Sequence, residues 1–313
     1  MSRMVVALGG NAILQPKQQG TIGEQLENVE KTCSQLAELV AQGNEVIVTH
    51  GNGPQVGNIL LQNEEAYRAA GIQPMPLDVC GAESQGLIGY MIQRSLRNEL
   101  ARRGIEKDVV SLVTQVLVDK DDPAFSNPTK PIGPFYTQAR AERVAAQRGY
   151  VMKEDANRGW RRVVPSPDPK SIVERAAIRR LVEAGCVVIS SGGGGIPVTL
   201  DSGGTLAGIE AVIDKDLAGQ RLATDLSARF FLILTDVARV ALDYGRPTQR
   251  FLDRATLEEI RVYQAQGHFR PGSMGPKVEA AVRFVRHGGE EAIITSLDLA
   301  VEAFRGSGTH ITH

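Results

Sequence analysis

The chain has 313 residues, 42% of them hydrophobic and 23% charged, which is enough for a large core in one α/β unit or two lobes. The net charge of -1 and the lack of a basic block argue against a nucleic-acid or membrane surface and favour a small-molecule partner. The three cysteines are widely separated, which argues against a disulfide framework and a zinc site. No apolar run reaches the ~18 residues that a membrane span needs, so we expect a cytoplasmic protein.

Strand and helix signals alternate from the start of the chain. The runs MVVAL (4–8) and EVIVTH (45–50) predict strands, each followed by a glycine turn. Between them, Thr21 with Glu24 predicts a helix capping box, and Gly43 suits the end of that helix. Strands that alternate with helices predict a mainly parallel sheet covered on both faces.

The same alternation continues along most of the chain. Further predicted elements are a helix from near Ile59, a helix over 82–103, a strand over 108–119, a helix over 171–184, strands over 186–190 and 230–237, a helix entered at Pro276 and a last strand over 291–296. We expect a second α/β lobe to begin near residue 186.

Residues 119–169 interrupt this alternation and hold seven of the fifteen prolines, with one helical segment over 138–148. A long irregular insertion is usually either disordered or functional. We favour a small ordered subdomain that projects from the sheet edge. Its expected mini-core consists of aromatic and apolar side chains: Phe125, Phe135, Tyr136, Tyr150, Val151 and Trp160.

Three predicted strands end in glycine-rich turns, ALGGN (7–11), THGNGP (49–54) and SSGGGG (190–195). Glycine lets backbone N–H groups approach an anion, and ligands of parallel sheets bind beyond the strand C-termini. Neither the Walker A nor the dinucleotide pattern is present. Each turn alone is compatible with plain loop geometry, and Asn11 could merely cap its own turn. Together the three turns predict a phosphate-binding crevice.

Lysines are scarce in this sequence, nine of 35 basic residues, so those near glycine or proline are candidates for function. Asp214, Lys215 and Asp216 lie at a predicted helix start, where Asp214 could hold the Lys215 ammonium against phosphate. Lys277 lies in the first turn of a helix, where its charge opposes the helix dipole, and bound polyphosphate would offset this repulsion. A surface D-K-D turn and a solvated Lys277 are the alternatives. Lys130 lies in the proline-rich run NPTKPIGPF (127–135).

These segments, in this order, resemble the carbamate kinases of the amino acid kinase superfamily. The matching motifs are VVALGGNAI, VTHGNGPQVGN, NPTKPIGPF, EDANRGWRRVVPSP, SGGGGIPV, AVIDKDLA and GHFRPGSMGPK. The resemblance implies an open αβα sandwich with a mainly parallel central sheet. It also implies a carbamate-binding lobe over 1–185 that includes the 119–169 subdomain, an ATP-binding lobe over 186–313, and a homodimer.

The same resemblance implies reversible, Mg²⁺-dependent transfer between ATP and carbamate, giving ADP and carbamoyl phosphate. Magnesium would arrive with the nucleotide, without a metal site of the protein's own, and the expected use is ATP formation in arginine and carbamoyl phosphate catabolism. The alternatives are another kinase of the superfamily, such as an acetylglutamate kinase, and a non-catalytic sensor of nucleotide or carbamoyl phosphate.

Site residues follow from the resemblance in three groups. The carbamate and γ-phosphate group is Gly9, Gly10, Asn11, Gly51, Asn52 and Gly53. The nucleotide group is Lys215, Lys277, Gly192, Gly193, Gly194, Gly195, Thr235, Asp236, Tyr244 and Met274. The catalytic group is Lys130, Lys215 and Asp214, with Asp214 orienting Lys215 and Lys277. Lys130 would replace a lysine that many superfamily members carry in the first strand, which would make closure of residues 119–169 a catalytic gate.

Overall fold

The computed structural model describes residues 2–155, 158–270 and 272–313. The helices of these ranges are α1 (Ile22–Ala41), α2 (Gly53–Ala70), α3 (Leu77–Arg102), α4 (Gln138–Arg148), α5 (Arg175–Glu183), α6 (Lys215–Asp225), α7 (Leu257–Ala265) and α8 (Met274–Arg286). The strands of these ranges are β1 (Arg3–Leu8), β2 (Glu45–His50), β3 (Val109–Ser111), β4 (Gln115–Leu117), β5 (Lys130–Tyr136), β6 (Met152–Glu154), β7 (Trp160–Val164), β8 (Ser171–Ile172), β9 (Val187–Ile189), β10 (Ile196–Leu200), β11 (Leu206–Gly208), β12 (Phe230–Thr235), β13 (Ala241–Leu242), β14 (Arg250–Phe251), β15 (Arg254–Thr256), β16 (Glu291–Ser296) and β17 (Thr309–Thr312).

The main sheet has the strand order β15-β17-β16-β12-β1-β2-β9-β3. Its strands pair in parallel except β16 and β17, which are antiparallel. In the centre, Val6 of β1 pairs with Val48 of β2 and Leu232 of β12. The glycine turns after β1 and β2 therefore lie at the same sheet edge, as parallel pairing requires.

Successive side chains of β1 point to opposite faces of this sheet and enter two separate cores. Met4 and Val6 pack with residues of α1 and α3, such as Leu36. Val5 packs on the other face with residues of α6 and α8, such as Phe284. Each large apolar side chain buried in this way stabilises the fold by roughly 1.5–3 kcal/mol. The predicted α/β class, with a mainly parallel sheet between helical layers, is confirmed.

The insertion is ordered. Strands β5, β7 and β6 form an antiparallel sheet in that order, and α4 connects β5 to β6. Ile132 and Val164 of this sheet are buried against Val56, Ile59 and neighbouring residues of the main body. The contact fixes β5, and therefore Lys130 at its first position, against α2.

The predicted mini-core of the insertion is wrong for three of its six residues. Phe135 and Val151 are 43% and 45% exposed, while Phe125 packs against the core of the main body. The exposed Phe135 ring is covered by the guanidinium groups of Arg158 and Arg161, at 5.1 and 5.0 Å from its centroid. A small sheet packed on a larger body needs no apolar core of its own, and cation–π contacts protect the ring.

Several element boundaries differ from the predictions. Helix α2 begins at Gly53 because Pro54 occupies its first turn. Helix α3 begins at Leu77, and the strand predicted over 108–119 is divided into β3 and β4, which belong to different sheets. A further strand, Thr309–Thr312, follows the predicted last strand. Tertiary pairing decides these limits, and local sequence does not encode it.

The predicted division at residues 185 and 186 falls within the sheet. Strand β9, which follows the division, lies between β2 and β3, which precede it. The two lobes are therefore joined by one continuous sheet, and their separate binding roles stay predictions. No helix in the described ranges is both long and apolar enough to cross a membrane.

Candidate active site

A large cleft opens where the ends of β1 and β12 face the first turns of α6 and α8. Its volume is about 640 Å³, within the range of small-molecule sites. Nine of the predicted site residues line it: Gly9, Gly10, Asn11, Lys215, Thr235, Asp236, Tyr244, Met274 and Lys277. The fold therefore brings together predicted site residues that lie up to 268 positions apart in the sequence, from Gly9 to Lys277.

Asp216 holds two of the predicted lysines at the inner end of the cleft. Its carboxylate accepts hydrogen bonds from Lys215 Nζ at 2.5 Å and Lys277 Nζ at 3.1 Å. The Asp216 side chain is 3% exposed, and those of the two lysines are 15% and 16% exposed. The carboxylate therefore joins the first turns of α6 and α8 and keeps both ammonium groups in place.

Lys130 reaches this region from the insertion and pairs with Asp214. Its Nζ donates to Asp214 Oδ2 at 2.8 Å. The other oxygen, Asp214 Oδ1, accepts from the backbone N–H groups of Asp216 at 2.9 Å and Leu217 at 3.4 Å, so Asp214 caps α6. The prediction that Asp214 holds Lys215 and orients Lys277 is wrong, because Asp216 pairs with both.

Three ammonium groups and two carboxylates thus meet within this region, which leaves a formal excess of one positive charge. Burial disfavours the charged form of Asp216, but Lys215 and Lys277 outweigh it and lower the pKa of this carboxyl. Burial lowers the pKa of Lys215, against the attraction of Asp216. An arriving polyphosphate would strengthen the charged state of both lysines.

The second glycine turn adjoins the lysines. A side chain at Gly51 would meet the Lys215 stem at 3.5 Å and the backbone nitrogen of Gly10 at 3.6 Å. The turns after β1 and β2 therefore lie side by side with Lys215 against them. The next residue, Asn52, is partly exposed, and its Nδ2 donates to Ser84 Oγ at 2.8 Å.

The third glycine turn has a different position. Gly192, Gly193 and Gly194 are buried, and no residue of 192–195 is among the described residues that line the large cleft. A Cβ at Gly192 would lie 2.3 Å from His50 Nε2, and one at Gly193 would lie 2.2 Å from Asn52 Nδ2. These two glycines permit close packing behind the second turn. Their predicted contact with nucleotide stays a prediction, which this position does not favour.

The chain matches a known protein family over most of its length. The model of the amino acid kinase family matches residues 2–296. The chain belongs to the amino acid kinase family. It is 57% identical to a carbamate kinase of Pyrococcus horikoshii over 311 residues, 99% of each chain, and 56% identical to that of Pyrococcus furiosus over 310 residues, 99% of this chain and 98% of the relative.

A solved structure of this family has the same fold over the whole chain. Carbamate kinase from Giardia lamblia bound to AMP-PNP superposes with a TM-score of 0.93 at 46% identity, covering 99% of this chain and 98% of that one. The resemblance drawn from the sequence motifs is confirmed, as is the predicted class of enzyme, a phosphotransferase.

The outer wall of the cleft in this family member is aromatic. Tyr244 and Phe251 line it and are each 58% exposed. The Arg270 guanidinium lies 5.8 Å from the centroid of the Tyr244 ring. Exposed aromatic rings can stack on a nucleobase, and the two lysines at the inner end of the cleft can bind phosphates.

Sequence reasoning missed three residues of this site. Asp216 was placed in the right motif but not assigned a role, since its partner Lys277 is 61 positions away. Ser84 lies within a helix and carries no motif. Arg270 lies in the segment GHFRPGSMGPK, two residues before Gly272, and a cation there was a usable signal.

We expect Gly193→Ala to impair this family member more than an ordinary glycine substitution. Gly193 has φ +67°, and its Cβ would overlap the Asn52 amide at 2.2 Å, so backbone strain and a displaced Asn52 add together. The melting temperature should fall by several degrees and kcat/KM by at least ~10-fold. Gly204→Ala, also at positive φ but with nothing within 4 Å, is the matched control and should keep its activity.

Buried His50 predicts an acid-sensitive fold. Burial lowers its pKa to about 4, while its hydrogen bond to the Gly51 oxygen at 2.9 Å opposes the shift and the Lys215 charge adds to it. The unfolded chain binds the proton first as pH falls below ~6.5, so the contribution of His50 is complete above that pH and is lost towards pH 4.

The expected loss from His50 is about 2 kcal/mol between pH 7 and pH 5. Urea unfolding at both pH values should show it, and His50→Asn should reduce the difference. The exposed His287, replaced in the same way, serves as control. An unchanged difference in His50→Asn would contradict the assignment.

Proposed function

We propose that the protein catalyses reversible phosphoryl transfer between ATP and carbamate, giving ADP and carbamoyl phosphate. The observation that supports this most strongly is the meeting of Lys130, Lys215 and Lys277 with Asp214 and Asp216 beside the glycine turns. Phosphoryl transfer depends mainly on positioning and on positive charge around the moving group.

The proposed reaction is a direct in-line step without an enzyme-bound phosphate. A carbamate oxygen attacks the γ-phosphorus, the bond from that phosphorus to the bridging oxygen breaks, and the electron pair leaves with ADP. Carbamate is already an anion and needs no strong base. The main obstacle is repulsion between two anions, about 4 kcal/mol for unit charges ~4 Å apart at an effective dielectric constant near 20.

The lysines divide this work by position. Lys277, which lines the cleft together with Met274 and Tyr244, would bind the nucleotide phosphates. Lys215 lies against Gly51, which adjoins Gly10, and would contact the transferred group between nucleotide and carbamate. Lys130 would approach from the insertion side, where it already pairs with Asp214, and movement of the insertion would adjust the position of its charge relative to the reacting atoms.

Magnesium fits this cleft as part of the nucleotide complex. The ion usually binds one or two carboxylates together with substrate phosphates, and Asp236 and Asp298 are carboxylates of the cleft lining. These two residues would hold the ion together with the phosphates, whereas the sequence predicted that the nucleotide alone carries it. When bound, magnesium would neutralise phosphate charge, which adds to the effect of the three lysines.

The high transfer potential of an acyl phosphate favours ATP formation, so we assign the reaction to arginine and carbamoyl phosphate catabolism. We place it in the cytoplasm, where the three free cysteines would remain reduced. No partner nucleic acid or membrane is proposed.

We also propose a homodimer that is formed through the N-terminal half. Leu87 and Tyr90 on the outer face of α3 are 41% and 58% exposed, and Val79 on the same helix is 38% exposed. An apolar helix face of this kind supports a protein interface. Equilibrium sedimentation of the wild type against Tyr90→Glu would test it.

A panel of acceptors tests the proposed reaction. Purified protein with Mg²⁺ and ATP should form ADP with carbamate, and at least ~100-fold more slowly with N-acetylglutamate or UMP. Turnover with N-acetylglutamate in preference to carbamate would replace our proposal with the acetylglutamate kinase alternative.

A further inference from the structure

The Asn52 amide is held in one orientation by a serine of α3. Ser84 Oγ accepts from Asn52 Nδ2 at 2.8 Å and donates its own proton to the Gly81 carbonyl at 2.6 Å. Since that hydroxyl proton is already used, the group beside it must be a donor. The NH₂ end of Asn52 therefore faces Ser84, which is fully buried.

The next residue of α3 holds the glycine turn that packs on the same amide. Gln85 Nε2 donates to the Gly192 carbonyl at 2.9 Å, and Gln85 Oε1 accepts from the Thr114 N–H at 2.8 Å. Gly193 then packs directly on the Asn52 amide, where no Cβ would fit. Ser84 and Gln85 thus hold the two components of one stack, and the amide has little freedom to turn over.

The opposite end of the amide is left without a partner. Asn52 Oδ1 accepts no hydrogen bond from any residue in the described ranges, although Asn52 is only partly exposed. Its neighbour Gly51 lies against the Lys215 stem, which places Asn52 one residue from the two paired lysines. An oriented acceptor next to a cluster of cations suits a ligand that carries an N–H group beside an anionic group.

We propose that Ser84 is a positioning residue that directs Asn52 Oδ1 to accept a hydrogen bond from the amino group of the phosphoryl acceptor. The inference rests on the proposed function and adds the basis of its substrate choice. Carbamate and acetate share a carboxylate, but acetate has a methyl group where carbamate has NH₂. Lysines and glycine turns attract both anions equally, whereas the fixed amide oxygen distinguishes them.

Acyl phosphates test this choice in the direction of ATP formation. The wild type, Ser84→Ala and Ser84→Thr are compared with carbamoyl phosphate and with acetyl phosphate, at saturating ADP. In Ser84→Ala the amide can turn over, and its NH₂ end would then face the substrate amino group. We expect the preference for carbamoyl phosphate to fall about tenfold, through a higher KM for that substrate alone. Ser84→Thr keeps the hydroxyl and should retain the preference.

A second buried serine of the same helix is the matched control. Ser95 is 4% exposed, and its Oγ has no partner among the described residues. Ser95→Ala makes the same chemical change at a similar depth and should leave the preference and both KM values unchanged. The KM for ADP should stay within about twofold in every variant, because Ser84 acts where the acyl phosphate binds and not where ADP binds.

The outcomes separate the inference from the reaction itself. A tenfold loss of preference in Ser84→Ala, restored in Ser84→Thr, supports it. Equal losses with both acyl phosphates, or no change, overturn it while leaving the reaction in place. A wild type that uses neither acyl phosphate overturns the proposed function and the inference with it.

Discussion

Asp216→Asn is expected to lower kcat at least ~10²-fold in both directions, since preorganised charge at a transition state contributes about that much per group. The asparagine retains the size of the side chain but loses the charge that holds Lys215 and Lys277. Two buried ammonium groups would then repel each other and move. Initial rates of ATP formation and consumption check the change.

The same substitution should alter the pH dependence and the stability. Burial lowers the pKa of Lys215, and Asp216 opposes that effect, so loss of the carboxylate lowers this pKa further. Lys215 would lose its proton at a lower pH, and the alkaline limb of the kcat profile should move in that direction. The free energy of unfolding should fall by about 3–5 kcal/mol, as for other broken buried pairs.

Asp225→Asn is the control variant, which should lose stability but keep its activity. Asp225 is a buried carboxylate at the other end of α6, where it pairs with Arg221 and accepts from the Ile172 N–H at 3.1 Å. Its replacement should lower stability but not the kcat of the folded enzyme. Equal losses of kcat in both variants would show that Asp216 acts only on the fold.

Lys130→Ala is the second substitution for which we expect a large loss of activity. The variant removes the one predicted catalytic cation that comes from the insertion, and we expect kcat to fall at least ~10²-fold. The fold should persist, because Asp214 still caps α6 through the Asp216 N–H at 2.9 Å. The KM for ADP should change little, since Lys277 and Lys215 remain.

The control for Lys130 is Lys120→Ala, an exposed lysine of the same insertion. It removes the same charge from the protein and should leave kcat unchanged. A coupled assay of ATP formation and the melting temperature of both variants will show whether the loss of kcat is specific to Lys130. Near-normal activity in Lys130→Ala would mean that this lysine only belongs to the surface of the insertion.

The role of Lys130 illustrates what sequence could predict. A lysine between prolines, in a chain rich in arginine, was a usable signal, and the structure pairs it with Asp214 at 2.8 Å. The choice between Asp214 and Asp216 as the partner of Lys215 was not predictable, since both are neighbours in sequence. It depends on helix geometry, in which the first acid caps α6 and the second faces α8.

The glycine turns show the same limit. Strand periodicity predicted the sheet, and the turns after β1 and β2 lie together as expected. A glycine that cradles phosphate and one that allows close packing look alike in sequence, so the buried position of Gly192–Gly194 required the fold. The orientation of Asn52 likewise depends on Ser84, which is 32 positions away.

The most direct test of the central claim is the formation of ATP from ADP and carbamoyl phosphate by the purified wild-type protein. We predict ATP production that requires both substrates and Mg²⁺ and proceeds at a rate typical of kinases, roughly 1–100 per second. Tight binding of both ligands without any ATP formed would contradict the claim and identify a sensor instead.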